Sequence, residues 1–174
     1  MLRFFAYALS MLLLYVTEAS FIYALPHPLS SIPIVLVVSI FLYQYKMQRT
    51  QLWWFIGFGF FLDLLGVSIS PFEIFSHAIA ACVLYFLAER VFTNRSYYGM
   101  AATSIVVIFF LCCFRLVVWG VLSVVDATWF SLHELVVFHL WSAFFSSILF
   151  LFVVPIYLRC FARTKAYVAR VLQL

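Results

Sequence analysis

The feature that most constrains this chain is a succession of long apolar runs interrupted only by short polar connections. Typical stretches are Met11-Leu12-Leu13-Leu14 and Ile105-Val106-Val107-Ile108-Phe109-Phe110-Leu111. The runs are continuous, whereas strands of a membrane barrel alternate apolar and polar residues. In lipid, a backbone that is not in a closed barrel satisfies its hydrogen bonds only as a helix. Of the 174 residues, 68% are hydrophobic and 9% charged. A soluble domain carries about 25% charged residues, so this composition excludes a water-covered globule.

At about 20 apolar residues per crossing, the 174-residue length admits six helices and no separate catalytic domain. The expected architecture is a single all-α polytopic membrane domain with spans at about 3–25, 31–45, 51–67, 72–92, 99–125 and 134–158. The connections carry turn chemistry, as in Pro26-His27-Pro28-Leu29-Ser30-Ser31 and Ser70-Pro71. The first run is long for the apolar region of a signal peptide and meets Glu18 near its end. A retained first helix is therefore expected.

Charge placement sets the orientation. The chain has ten Lys and Arg residues and a formal net charge of +4. Nine of those ten, namely Arg3, Lys46, Arg49, Arg90, Arg95, Arg159, Arg163, Lys165 and Arg170, lie at the two ends and in the second and fourth connections. With both termini cytoplasmic, every connection obeys the positive-inside rule. The charges are thus accounted for without nucleic acid as a partner. In the tail 159–174, Arg159, Arg163 and Arg170 share one helical sector with Lys165 flanking, while Phe161, Val168, Val171 and Leu172 gather opposite. That pattern suits a helix lying on an anionic leaflet; a helix end fraying into solvent is the alternative. Cys82, Cys112, Cys113 and Cys160 have no zinc-ligand spacing and read as small buried hydrophobes.

The polar residues inside the runs are the candidates for function. Arg115 lies deep in the fifth span, where an unpaired charge costs about 2.5–3.5 kcal/mol. Height along the helices, at about 1.5 Å per residue, puts Asp63 and Glu18 at a similar depth in the outer half. Either carboxylate can pair with Arg115; snorkelling to the headgroups and ligand binding are the alternatives. Gly59, Asp63 and Gly66 share one face of the third span, where the glycines would let a neighbouring helix approach closely. Glu73 and His77 open the fourth span, and His133, Glu134 and His139 the sixth. These five outer-side residues read as helix caps and interfacial polar groups, with a small-ligand or metal site as alternatives. The histidine spacing does not match the zincin motif, and neither paired carboxylates, a nucleophile elbow nor a phosphate loop is present. No enzyme, cofactor or metal centre is expected.

The stretch from Leu36 to about Phe92 resembles the rod shape-determining protein family MreD. The matching features are a short apolar helix at Val35–Tyr45, a basic turn at Lys46–Arg49, then Gly59-Phe60-Phe61-Leu62-Asp63-Leu64 with Gly66. Ser70-Pro71 and the alanine-bearing helix His77–Arg90 follow. The resemblance covers about a third of the chain and departs at Glu73, where the family usually has glycine. It implies a non-enzymatic bacterial inner-membrane component of the cell-elongation machinery, with MreC as direct partner. The MreB filament, the RodA glycosyltransferase and its penicillin-binding protein would stand alongside, and a homodimer is compatible. Gly59, Asp63, Gly66, Arg115 and Glu18 are then the expected packing and partner residues. The family's fold is similar to that of substrate-binding subunits of energy-coupling-factor vitamin transporters, which supplies the alternative function.

Overall fold

A computed structural model of the protein describes residues 2–66, 72–93, 96–126 and 132–160. All regular structure among these residues is helical. Helix α1 (Leu2–Val16) continues into a wide π-helical turn, Thr17–Ile22. After a short 3₁₀ turn at Leu29–Ser31 come α2 (Ile34–Ile40), its π turn Phe41–Tyr45, and α3 (Thr50–Leu65). Helix α4 (Glu73–Phe86) ends in the π turn Leu87–Val91, and α5 (Tyr97–Asp126) is the longest. Helix α6 (Leu132–Ile148) passes through a fourth π turn, Leu149–Val153.

Four stretches are long and apolar enough to cross a membrane: Phe5–Ile22, Glu73–Val91, Tyr97–Val121 and Leu132–Cys160. The remaining two, Leu29–Tyr45 and Thr50–Leu65, are shorter apolar helices. The helices end where the chain demands it. Pro26, Pro28 and Pro33 each lack an N–H and keep α1 from running on into α2. Gly66 stops α3 in the left-handed region at φ 61°, which a residue without Cβ adopts freely.

Successive helices alternate in direction. Tyr7 and Tyr15 of α1 donate to the Gln51 side chain and the Trp54 carbonyl near the start of α3, so α1 and α3 run parallel. The end of α2 meets the start of α5 through Gln44 and Thr103. The late turns of α6 meet the early turns of α5 through Ser104 and Ser146, 3.1 Å apart. One end of the bundle therefore gathers Gln44, Gln51 and Ser104, and the other gathers Glu18, Asp63, Glu73 and Arg115.

Helix α5 lies deepest, burying Met100, Val107, Ile108 and Leu111 against Ile40, Phe55, Leu84 and Phe150. Large side chains such as Phe5, Leu9, Leu64, Phe109, Leu140 and Phe152 point outward instead. An apolar exterior suits a bundle whose solvent is lipid, where close packing and interhelical hydrogen bonds carry association. The expectation that the cysteines are buried does not hold. Cys82 and Cys160 are exposed and Cys112 and Cys113 half-buried, all four as free thiols; on a lipid-facing surface a thiol has no need of burial.

Candidate functional site

The polar site grows from a close helix contact between α3 and α4. A Cβ placed on Gly59 would lie 2.6 Å from the Glu73 carbonyl oxygen and 2.9 Å from His77 Cβ. Only glycine fits there, so the sequence-based role of Gly59 as a point of close approach has a direct geometric cause. Gly66 acts differently: nothing lies within 4 Å of a Cβ built on it. It shares the Gly59 face in the linear sequence, but it terminates α3 rather than packing a neighbour.

Asp63, one turn beyond Gly59, reaches across to α4. Its Oδ1 accepts from the Glu73 N–H at 2.8 Å and its Oδ2 from the Ile74 N–H at 2.9 Å. The residue preceding α4, Phe72, is in the left-handed region at φ 63° and contributes no side-chain cap. Asp63 thus supplies the N-cap from the preceding helix, satisfying two donors that every helix start leaves open. Glu18 does the same for α2. Buried in the π turn that closes α1, it accepts from the N–H of Val35, with Ile34 alongside.

The partner of Arg115 is therefore neither Asp63 nor Glu18. Both carboxylates are engaged by helix starts, and Glu73 takes the guanidinium instead. Arg115 Nη2 donates to Glu73 Oε2 at 2.6 Å, and both side chains are buried. Nη1 donates to Nε2 of His139 at 2.9 Å. Because Nε2 accepts there, the His139 hydrogen sits on Nδ1, which donates to the Leu135 carbonyl at 2.7 Å. His77 lies one turn after Glu73, with Nδ1 2.9 Å from the Glu73 carbonyl and 3.3 Å from Oε2. Its ring packs against Phe55 and Phe58 of α3.

Helices α4, α5 and α6 are thereby tied together by one buried charge network, with α1 and α2 closing it from the side. Beside it lies a cavity of about 40 Å³, lined by Glu18, Tyr23, Ser31, Arg115, His139 and Ser142 among others. A water needs roughly 10–15 Å³ measured this way, so the space suits a few waters. Ser142 donates to the Ser31 carbonyl at 2.8 Å and pins α6 to the turn before α2. The guanidinium Nε has no hydrogen-bond partner among the described residues.

The outer-side group expected from the sequence divides in two. Glu73, His77 and His139 converge on Arg115, whereas His133 and Glu134 are exposed at the start of α6. Among the described residues no three metal-ligating side chains converge as an ion would need. At the other end Arg159 is exposed. The tail residues Arg163, Lys165 and Arg170 lie outside the described residues, as does Ser70-Pro71. Two roles were missed in the sequence, Glu73 as the counter-ion and Tyr43–Glu89 as a cross-link between α2 and α4 at 3.1 Å. The signal for the first was available, since Glu73 is the one carboxylate at the start of a helix one turn from a histidine.

No family model matches the chain, and neither a curated protein nor a solved structure matches it significantly. Its functional reading therefore rests on its own residues.

Proposed function

We propose that the chain is a six-span, non-enzymatic interaction protein of the bacterial inner membrane, with both termini cytoplasmic. Its resemblance to MreD makes MreC and the cell-elongation machinery the expected partners. The six-span reading is supported by what the two short helices touch. Helix α2 meets Glu18 at one end and Thr103 at the other, and α3 meets Tyr7 at one end and Glu73 at the other. Each extends across the same layer as its longer neighbours, a mismatch that local thinning of the bilayer accommodates. Exposed Trp53, Tyr98 and Tyr157 stand at the Gln44 end, alongside exposed Lys46, Arg49, Arg90 and Arg159. Aromatic residues and cations together are the pattern of a cytoplasmic interface.

The observation that carries the scaffold reading is the closed Glu73–Arg115–His139 network. Glu18, Asp63, Glu73, Arg115 and His139 are consumed in holding helices to one another and in capping them. A vitamin-binding subunit needs an outward pocket of the usual ligand-site size, about 300–1,000 Å³, and the cavity here is about 40 Å³. That contrast favours the interaction protein over the transporter subunit.

The test is a mild-detergent purification of the tagged protein from its own host, identifying all co-purifying species. MreC and elongation enzymes in the eluate are the expected result. An ATPase-bearing transporter module or a bound vitamin would replace this reading with the transporter one.

A further inference from the structure

The connection between α2 and α3 is short and tied down. Lys46 follows the π turn Phe41–Tyr45, Met47 is in the left-handed region at φ 58°, and α3 starts at Thr50. The Gln48 N–H donates to the Leu42 carbonyl at 3.1 Å, and the Gln51 N–H to the Gln48 carbonyl at 3.0 Å. The backbone carrying Lys46 and Arg49 is thus held from both sides, while both side chains are exposed.

The charge of this turn has no internal answer. Both ion pairs among the described residues involve Glu73, at the opposite end of the bundle. Glu89, the carboxylate at the end of α4, accepts from the Tyr43 hydroxyl at 3.1 Å. The Lys46 ammonium lies 5.5 Å from the centroid of the Tyr45 ring, which orients it without neutralising it. Apolar groups stand beside the cations: Met47 is 51% exposed and Trp53 76%. Arg49 and Trp53 are one turn apart and share a face at the start of α3. Phe60 and Leu64 continue that face at helical spacing and are exposed as well.

We propose that the Lys46–Arg49 turn and Trp53 form a binding site for the phosphate of an anionic phospholipid. The phosphate oxygens accept from the Arg49 guanidinium and the Lys46 ammonium. The indole sits at the headgroup level, where tryptophan is at home, and an acyl chain runs along Phe60 and Leu64. Helix α3 has 16 residues, about 24 Å at about 1.5 Å per residue, against a hydrocarbon layer of about 30 Å. Thinning over this short helix brings the phosphates down to the turn. An acidic protein segment would answer the cations but not the apolar stripe that continues from them. The site rests on the chain spanning a bilayer and on no particular protein partner.

Native mass spectrometry of the detergent-purified protein, given equal amounts of phosphatidylglycerol and phosphatidylethanolamine with identical acyl chains, reads the preference. The anionic lipid is expected to be retained about thirtyfold better, the worth of two cations at a lipid surface. Lys46→Gln combined with Arg49→Gln is expected to remove most of that preference. Arg159→Gln, an exposed cation at the end of α6, is expected to leave it intact. Trp53→Ala should weaken retention of both lipids and keep their ratio. Equal retention of both lipids by the parent would overturn the proposal. An equal loss from Arg159→Gln would also overturn it, by assigning the preference to the summed charge of that end. So would a double variant that keeps its anionic lipid and instead loses a co-purifying soluble protein, because the turn would then belong to an acidic protein segment.

Discussion

The two ends of the bundle bury polar side chains in similar numbers and hold them by different means. At the Arg115 end three carboxylates have defined donors: Glu18 caps α2, Asp63 caps α4 and Glu73 takes the guanidinium. The leftover space is about 40 Å³. At the Gln44 end the bonds join neutral groups, and the space is about 160 Å³; each end keeps one buried atom without a partner among the described residues, Arg115 Nε at the first and Gln44 Oε1 at the second. The first end is held by charge, with Arg115 bridging Glu73 and His139, whereas the second is held by neutral amide and hydroxyl contacts such as Gln44 to Thr103. The first end should therefore be the more sensitive to losing one partner, because what is stranded there is a buried charge.

Removing one partner of the buried charge network should have the largest effect. Arg115→Ala strands a buried Glu73 carboxylate and is expected to destabilise the protein by about 3–5 kcal/mol, measured as a fall in thermal stability in detergent. A mild effect would break the comparison, because it would mean the charges are hydrated. Gly59→Leu forces its side chain into the Glu73 carbonyl and His77, with an expected cost of about 1–3 kcal/mol. A crosslink between cysteines on α3 and α4 should form more slowly in that variant. Asp63→Ala opens two N–H groups of α4 and should cost about 1 kcal/mol, visible as faster hydrogen exchange at Glu73 and Ile74 while insertion is normal. Tyr43→Phe, which removes the hydroxyl that bonds Glu89 at the Gln44 end, should change stability by less than about 1 kcal/mol. A large loss of stability there would erase the distinction between the two ends.

Much of the fold could be read directly from the apolar runs, because lipid permits so little else: helices α1 to α6 coincide with them. The close approach at Gly59 was legible for the same reason, since glycine on an apolar helix face has few other uses. The pairing of Arg115 was not. Depth along each helix is a one-dimensional quantity, and Glu18, Asp63 and Glu73 all lie at compatible heights. Choosing among them requires knowing which helices are neighbours and which carboxylates are already needed as caps. Asp63 was singled out for its glycine flanks, and its capping role depends on the left-handed Phe72, whose conformation nothing in the residue type announces. The cleft at Gln44 was equally hidden, because it depends on π turns whose residues, Phe41–Tyr45 and Leu87–Val91, read as ordinary helix.

The central claim is that Glu73 and Arg115 serve each other and hold the bundle together. A double-mutant cycle with Arg115→Met and Glu73→Leu, followed by thermal unfolding in one detergent, tests it. Each single variant should be strongly destabilised, and the double variant should recover much of the loss, with an interaction energy of about 1–3 kcal/mol. Additive losses, or single variants as stable as the parent, would contradict the account and reopen Arg115 as a residue kept for a ligand.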